Sequence, residues 1–250
     1  MLRLVSAVIV LALTAATASA AEIKVISANG MREVIAETKA AFEKASGHTL
    51  NVTVVETGTI RKRVLGGEAF DVIMVPSNAS EIFVKEGKQA PGAVPVIRVN
   101  FGLAVRESGP KPDVSNADAL KKTFLDAKTV LITDPSTGGI SGVHLMEVLG
   151  KLGIADAMKP KLKPFSGGGF HAERVVKGEA DLAVQAEHEI RCTKGAAFLD
   201  YPKEFQRIIV FMAGVGAASS DAKVAQSYID FIKTGPQAAA AIKAHCLTPG

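Results

Sequence analysis

Tryptophan is absent from the 250 residues, and tyrosine and cysteine occur only twice each. A dominant charge is missing too: 29 Lys and Arg against 25 Asp and Glu leave a net charge of +4. The basic residues are scattered through the chain, whereas nucleic-acid binding needs a concentrated basic stripe. Ser136 to Gly142 lacks the Lys-Ser/Thr ending of a P-loop, and Ser166 to Gly169 lacks G-x-G-x-x-G spacing, so nucleotide chemistry has no motif to rest on. Cys192 and Cys246 lack the spacing of metal ligands and are expected as independent, small buried thiols, although the pair can oxidise in an exported protein. No low-complexity tract occurs. What is present is ordinary: 48% hydrophobic and 22% charged residues exclude disorder and supply one large core or two smaller domains.

The first twenty residues stand apart. Arg3 gives a positive start, Leu4 to Ala16 an apolar run, and Ala18-Ser19-Ala20 a small-residue cleavage site, the pattern of a secretory signal cut before Ala21. That run falls short of the ~20 residues that span a bilayer, no later segment is long and apolar enough to do so, and no Cys follows to carry a lipid. The expectation is an exported, periplasmic, monomeric protein without stable membrane insertion. Losing Arg3 lowers the net charge to +3, a modest field that suits capture of small anions.

Strand-like and helix-like runs then alternate. Ile23 to Ser27, Leu50 to Val55 and Phe70 to Val75 read as strands, while Met31 to Ala45, a patch from Thr59 and Ala79 to Lys88 read as helices. This is the β-α-β-α-β order of a parallel sheet wrapped by helices. Val94 to Val105 is extended, and the polar, Pro-bearing Glu107 to Asn116 marks a crossing to a second lobe. There Val130 to Thr133, Lys161 to Phe165 and Asp181 to Gln185 read as strands, with helices at Ser141 to Leu152 and His171 to Lys177. Ile208 to Gly214 is again extended, and helices over Ala222 to Lys233 and Pro236 to His245 close the chain. The pattern predicts an α/β fold of two lobes with mixed, mostly parallel sheets. Lobe I takes 21–97 and 208–250 and lobe II takes 98–207, with hinge strands near Ile97 to Ala104 and Ile208 to Ala213.

Four strand-to-helix junctions carry small or hydroxylated residues: Ser27-Ala28-Asn29-Gly30, Thr57-Gly58-Thr59, Ser136 to Gly142, and Ser166-Gly167-Gly168-Gly169. Glycine admits a ligand to the backbone, hydroxyls donate hydrogen bonds, and a helix N-terminus presents unpaired N–H groups with a partial positive charge. Any one junction is explained by turn and capping chemistry alone. Two from each lobe point to an anion nest at the carboxyl ends of the strands. The candidate ligand-binding residues are Asn29, Gly30, Thr57, Gly58, Thr59, Arg61, Gly139, Ser141, Gly168, Gly169 and Gln185, with no metal or cofactor.

The stretches Ile23 to Gly30, Ala41 to Gly47, Gly67 to Val72, and Thr133-Asp134-Pro135 with Ser141-Gly142 resemble the molybdate-binding group of the type 2 periplasmic binding proteins. The resemblance implies two lobes closing over a ligand that is delivered to an ABC permease. It also implies a tetrahedral oxyanion held by uncharged donors: a Ser in each of the first two junctions and a Tyr late in the second lobe. The matching positions here are Gly30, Thr57 and Ala186, which removes most of those side-chain donors. Arg61 and Arg63, Phe170 and His171, and Glu187-His188 stand nearby instead. Arg grips carboxylates in a bidentate fork, so a di- or tricarboxylate is the ligand class these residues suggest.

The Gly138 to Val143 junction and the Pro110-Lys111-Pro112-Asp113 loop are also similar to a branch that includes exported aconitate isomerase. That resemblance implies a cofactor-independent proton shift on an allylic tricarboxylate. Such chemistry needs an acid or base near the substrate carbon, with His171, His144, His188, Glu56 and Glu187 as candidates and His171 and Glu56 the preferred pair. Receptor and isomerase share a pocket and differ in whether a proton moves.

Overall fold

The chain is described from a computed structural model that covers residues 20–165 and 171–250. Residues 1–19, on which the expected signal segment falls, the Ser166 to Gly169 junction with Gly168 and Gly169, and Phe170 lie outside the described residues.

The first half of one sheet follows the alternation in the sequence: β1 (Glu22–Ala28), α1 (Arg32–Ser46), β2 (Thr49–Val55), α2 (Thr57–Leu65), β3 (Val72–Pro76) and α3 (Ser77–Lys85). Helix α1 forms because Val34, Ile35, Thr38 and Phe42 make one buried stripe, and it stops at Gly47, whose φ of 74° is left-handed. The chain then runs through β4 (Val94–Val99), turns at Asn100, and enters the second sheet as β5 (Phe101–Arg106). The second sheet's segment continues with α4 (Ala117–Asp126), β6 (Val130–Thr133), α5 (Ile140–Lys151), α6 (Ala155–Met158), β7 (Leu162–Phe165), α7 (His171–Val176), β8 (Leu182–Ala186), α8 (Glu187–Arg191) and β9 (Ala196–Asp200). A return through 201–208 leads back to the first sheet with β10 (Ile209–Val215), α9 (Ala222–Thr234), α10 (Pro236–Ala244) and β11 (Thr248–Pro249).

The sheets run β11-β4-β10-β3-β1-β2 and β7-β6-β8-β5-β9. Strands that feed helices pair in parallel, β1 with β2 and β3, and β6 with β7 and β8. The strands beside the two crossings, β4, β5 and β10, add antiparallel neighbours, as does each outer strand β9 and β11. The passage from one sheet to the other falls at Asn100, between paired strands. The Glu107 to Asn116 loop instead leads into α4, where Asn116 Oδ1 accepts from Ala119 N at 3.0 Å as an N-cap. Asn100 Nδ2 donates to Asp200 Oδ1 at 3.2 Å, tying the outgoing crossing to the start of the return.

The expectation of two separate buried thiols is overturned. Cys192 and Cys246 are exposed and form a disulfide with a Cα–Cα distance of 6.0 Å. Sequence spacing could not show this, because Cys192 caps α8 beside the second sheet while Cys246 lies between α10 and β11 of the first. The tertiary fold alone brings them together, with Cys246 at a left-handed φ of 56° after α10. The bond therefore joins the two halves of the molecule. Among the described residues no helix is long and apolar enough to cross a membrane.

Replacing both cysteines with Ser frees a segment of sequence separation 54 in the unfolded chain. The chain-entropy relation puts the resulting loss of stability at about 4 kcal/mol. A lower urea midpoint than the oxidised protein is expected; coincident midpoints would show that the bond adds no stability.

Candidate functional site

The two sheets meet through backbone. A Cβ built on Gly58, at the start of α2, would lie 2.4 Å from the Thr137 carbonyl oxygen and 2.9 Å from Gly138 Cα. Gly138, just before α5, has a left-handed φ of 81° and is equally obstructed by Gly58. Only glycine at both positions allows this approach, and it brings the N-terminal ends of α2 and α5 from opposite halves onto one cavity. The cavity measures about 60 Å³.

Its polar wall comes from Asn29, Glu56, Thr57, Thr133, Ser141, His188 and Glu189. Val99, Phe101, Ile140, Ala186 and Phe211 supply the apolar wall, and Gly30 and Gly139 the remainder. Gly30 is bare because the Phe211 ring stands where a Cβ would project, 2.5 Å from Cζ. The Thr57 hydroxyl is buried without a partner among the described residues. Ser141 Oγ shares a 2.9 Å hydrogen bond with Thr133 Oγ1, which fixes it at the mouth of α5. The first-turn amides of α2 and α5 have no carbonyl within their own helices, so both ends bias the cavity towards negative charge.

The residues named from sequence thus divide. Asn29, Gly30, Thr57, Gly139, Ser141 and Glu56 line the cavity. Gly58 forms the inter-lobe contact, and Thr59 follows it in the first turn of α2 without lining the cavity. Arg61 is exposed and lines a separate surface hollow with Lys62 and Ser136, while Arg63 is held by the Glu68 carboxylate. Among the described residues no arginine fork therefore faces the cavity: one turn of α2 carries Arg61 past the lobe contact. Gln185 is one layer behind the wall, where Oε1 accepts from Ala172 N at 2.7 Å and Nε2 donates to Glu189 Oε2 at 3.1 Å.

Among the histidines, His171 is buried against Phe165, with ring centroids 5.4 Å apart, and does not line the cavity. Burial, then the Arg174 charge, pushes it down to about 4. His144 packs between Phe101 and Tyr201, and burial lowers it as well. Glu187 turns outward to Arg191. His188 does line the cavity, and burial, followed by the His245 charge, takes it down to about 4, so it is neutral at neutral pH.

Glu189 was not anticipated. It is the third residue of α8, and its Oε2 accepts from the Ala186 N–H at 3.3 Å as well as from Gln185. A Glu three residues past a strand end is the acidic half of a capping box, the one sequence sign available. Glu189 is half-buried, with part of the residue accessible at the cavity. Desolvation, then the Glu33 charge, raises it to about 8.

Two lobes of α/β structure meeting over a cleft, linked by crossing strands, define a periplasmic-binding-protein fold. The chain belongs to the bacterial extracellular solute-binding protein family, whose model matches residues 23–246. It is 27% identical to an aconitate isomerase of Pseudomonas sp. over 237 residues, 90% of this chain and 87% of that protein. It is 28% identical to the molybdate-binding protein ModA of Azotobacter vinelandii over 239 residues, 93% of this chain and 92% of that one. In structure it is similar to the periplasmic molybdate-binding protein of Azotobacter vinelandii, with a TM-score of 0.66 at 19% identity, covering 90% of this chain and 98% of that chain.

The titrations give opposed pH dependences. His171 and His188 fall from 6.5 to about 4 on folding, so acidification through that window protonates the unfolded chain preferentially and destabilises the fold. Glu189 rises from 4.5 to about 8, so its contribution is lost as pH rises through that range. Two histidines outweigh one carboxyl in the acid window, and of these three groups only Glu189 acts above it. The melting temperature of ligand-free protein should therefore peak near neutrality, with the acid limb flattened in His188→Gln. A melting temperature constant from pH 4.5 to 8.5 would contradict these assignments.

Proposed function

We propose that this chain is a periplasmic receptor, exported behind a signal cleaved before Ala21, that closes its lobes over a small anion and presents it to an ABC-type permease. The observation that carries the reading is the convergence of the α2 and α5 N-termini on one cavity furnished with the Thr57 and Ser141 hydroxyls. Amides and hydroxyls hold an anion without a counter-charge, because helix ends supply partial positive charge and little reorganisation is needed. The apolar wall of Val99, Phe101, Ile140 and Phe211 favours an organic acid with a hydrocarbon body over a tetrahedral metal oxyanion. With Gly30 and Ala186 in the wall, the side-chain donors of a molybdate site are mostly missing. Domain closure is expected to turn on Asn100 and the 201–208 return, placing the lobe boundaries beside those crossings.

A second reading is favoured by Glu56, His188 and Glu189 sharing the cavity, since titratable groups of this kind can move a proton between carbons of a bound tricarboxylate. The 27% identical aconitate isomerase belongs to the same comparison. Under this reading His188 and Glu189 replace His171, which does not line the cavity, as acid and base beside Glu56.

Melting-shift titration of the mature protein with molybdate, sulfate, citrate and cis-aconitate tests the receptor reading. An organic acid at saturating concentration should raise the melting temperature by several degrees, as expected for a ligand at about 100 times its Kd. Ser141→Ala should weaken that ligand by about tenfold. Stabilisation by none of the four anions would overturn the reading. Incubation with cis-aconitate in D2O separates receptor from enzyme: deuterium incorporation and a trans product support the isomerase, and binding without exchange excludes it.

A further inference from the structure

Two cations of α2 find no use in the cavity. Arg61 and Lys62 are exposed, and they line a hollow of about 380 Å³ with Gly58, Leu65 and the 135–138 turn of the other half. Arg63 is held by the Glu68 carboxylate, but among the described residues Arg61 and Lys62 have no such partner. Among the same residues no carboxylate lines the hollow, and no Lys or Arg lines the cavity. Positive side chains are therefore kept out of the cavity and placed beside it.

The chain itself shows how close the two spaces are. Thr57 lines the cavity and Gly58 the hollow; Gly139 lines the cavity and Gly138 the hollow. The contact of Gly58 with Thr137 and Gly138 thus stands between them. It joins opposite halves without a covalent bond, so lobe movement about Asn100 and the 201–208 return parts it and makes one space of the two.

We propose that the hollow is an entry subsite for the anionic ligand: Arg61 and Lys62 gather a carboxylate at the lobe boundary, and it passes to the helix ends and hydroxyls inside when the glycine contact parts. The proposal rests on the anion reading above and assigns the route by which its ligand arrives. An exposed guanidinium and ammonium stay hydrated, attract an anion over roughly 10 Å at 0.1 M salt, and release it readily because exposed ion pairs are weak. Buried in the cavity, the same charges would form a desolvated pair that is costly to break. The stems of Arg61 and Lys62, with Leu65 and Pro135, give the hollow apolar sides for a hydrocarbon body. At about 380 Å³ against about 60 Å³, the hollow takes an anion that still carries water, and the cavity one that has shed it. Charges at such a rim act on association and its salt dependence, leaving dissociation alone.

The test measures association and dissociation rate constants by kinetic calorimetry, using the tightest binder among citrate, cis-aconitate and sulfate. Ionic strengths of about 10 mM and about 1 M set the screening length to roughly 30 Å and 3 Å. Arg61→Gln combined with Lys62→Gln should associate about tenfold more slowly than wild type at low salt, match it at high salt, and dissociate at the wild-type rate. Lys177→Gln combined with Lys223→Gln removes two cations that line neither space, and should slow association by no more than about twofold. In Gly58→Ala the new methyl meets the Thr137 carbonyl and holds the contact apart; release should be about tenfold faster, with the wild-type dependence of association on salt.

An Arg61 and Lys62 double variant that associates at the wild-type rate at low salt, or slows no more than the control, overturns the proposal. A double variant that loses affinity through faster dissociation also overturns it, since the two cations would then hold the bound ligand. Wild-type release from a folded Gly58→Ala does so as well, because hollow and cavity would not be divided at that contact. Failure of all three anions to bind wild type removes the anion reading and the entry role together, whereas binding with a salt-independent association rate keeps the reading and overturns the entry role alone.

Discussion

Everything in the cleft depends on a contact between two pieces of backbone. Gly58 and Gly138 approach so closely that neither could carry a methyl group, and they come from opposite sheets. Side-chain contacts there would hold the lobes farther apart and leave each helix end facing water, where its partial charge is screened. With glycine on both sides, α2 and α5 present their first turns to the same small volume. The remaining cavity residues are arranged around that axis, with Thr57 and Ser141 at the two helix mouths and Phe101 and Phe211 on the crossing-side strands.

The electrostatic balance of this site is unusual for the anion receptor proposed above. Its attraction comes from peptide groups and hydroxyls, while its formal charges are acidic or silenced by burial. Uncharged donors suit a receptor that must release what it captures, because a desolvated ion pair is costly to break. The same features suit an enzyme that needs a neutral acid beside its substrate, and one fold can host either use.

Much of the architecture was legible because hydrophobic period and turn chemistry are local. The β1-α1-β2-α2-β3-α3 order shows directly in the apolar spacing, and so do α9 and α10. Pairing is not local: nothing in Ile209 to Val215 says that it inserts between β3 and β4. Helix α4 was hidden behind a Pro-bearing loop, and β9 is too short and half-buried to show alternation. In the cavity, Asn29, Gly30, Thr57, Gly139 and Ser141 were readable because strand-to-helix corners have a composition. Arg61 was misplaced because composition does not say which side of a helix faces the partner lobe. Glu189 showed only the sign of a capping box, because the burial and the Glu33 charge that act on its carboxyl are set by the tertiary fold.

Helix α8 gathers several of these roles into five residues. Its first N–H donates to Asn100 O at the crossing at 2.8 Å, its middle supplies His188 and Glu189 to the cavity, and its end is bonded through Cys192 to the segment after α10. A rigid element pinned at both ends behaves as a lever with little travel: the halves can swing only as far as α8 can tilt between its anchors. The Cys192–Cys246 bond and the Asn100 contact thus hold both ends of the helix that carries His188 and Glu189, so relative movement of the two halves is transmitted through the cavity wall itself.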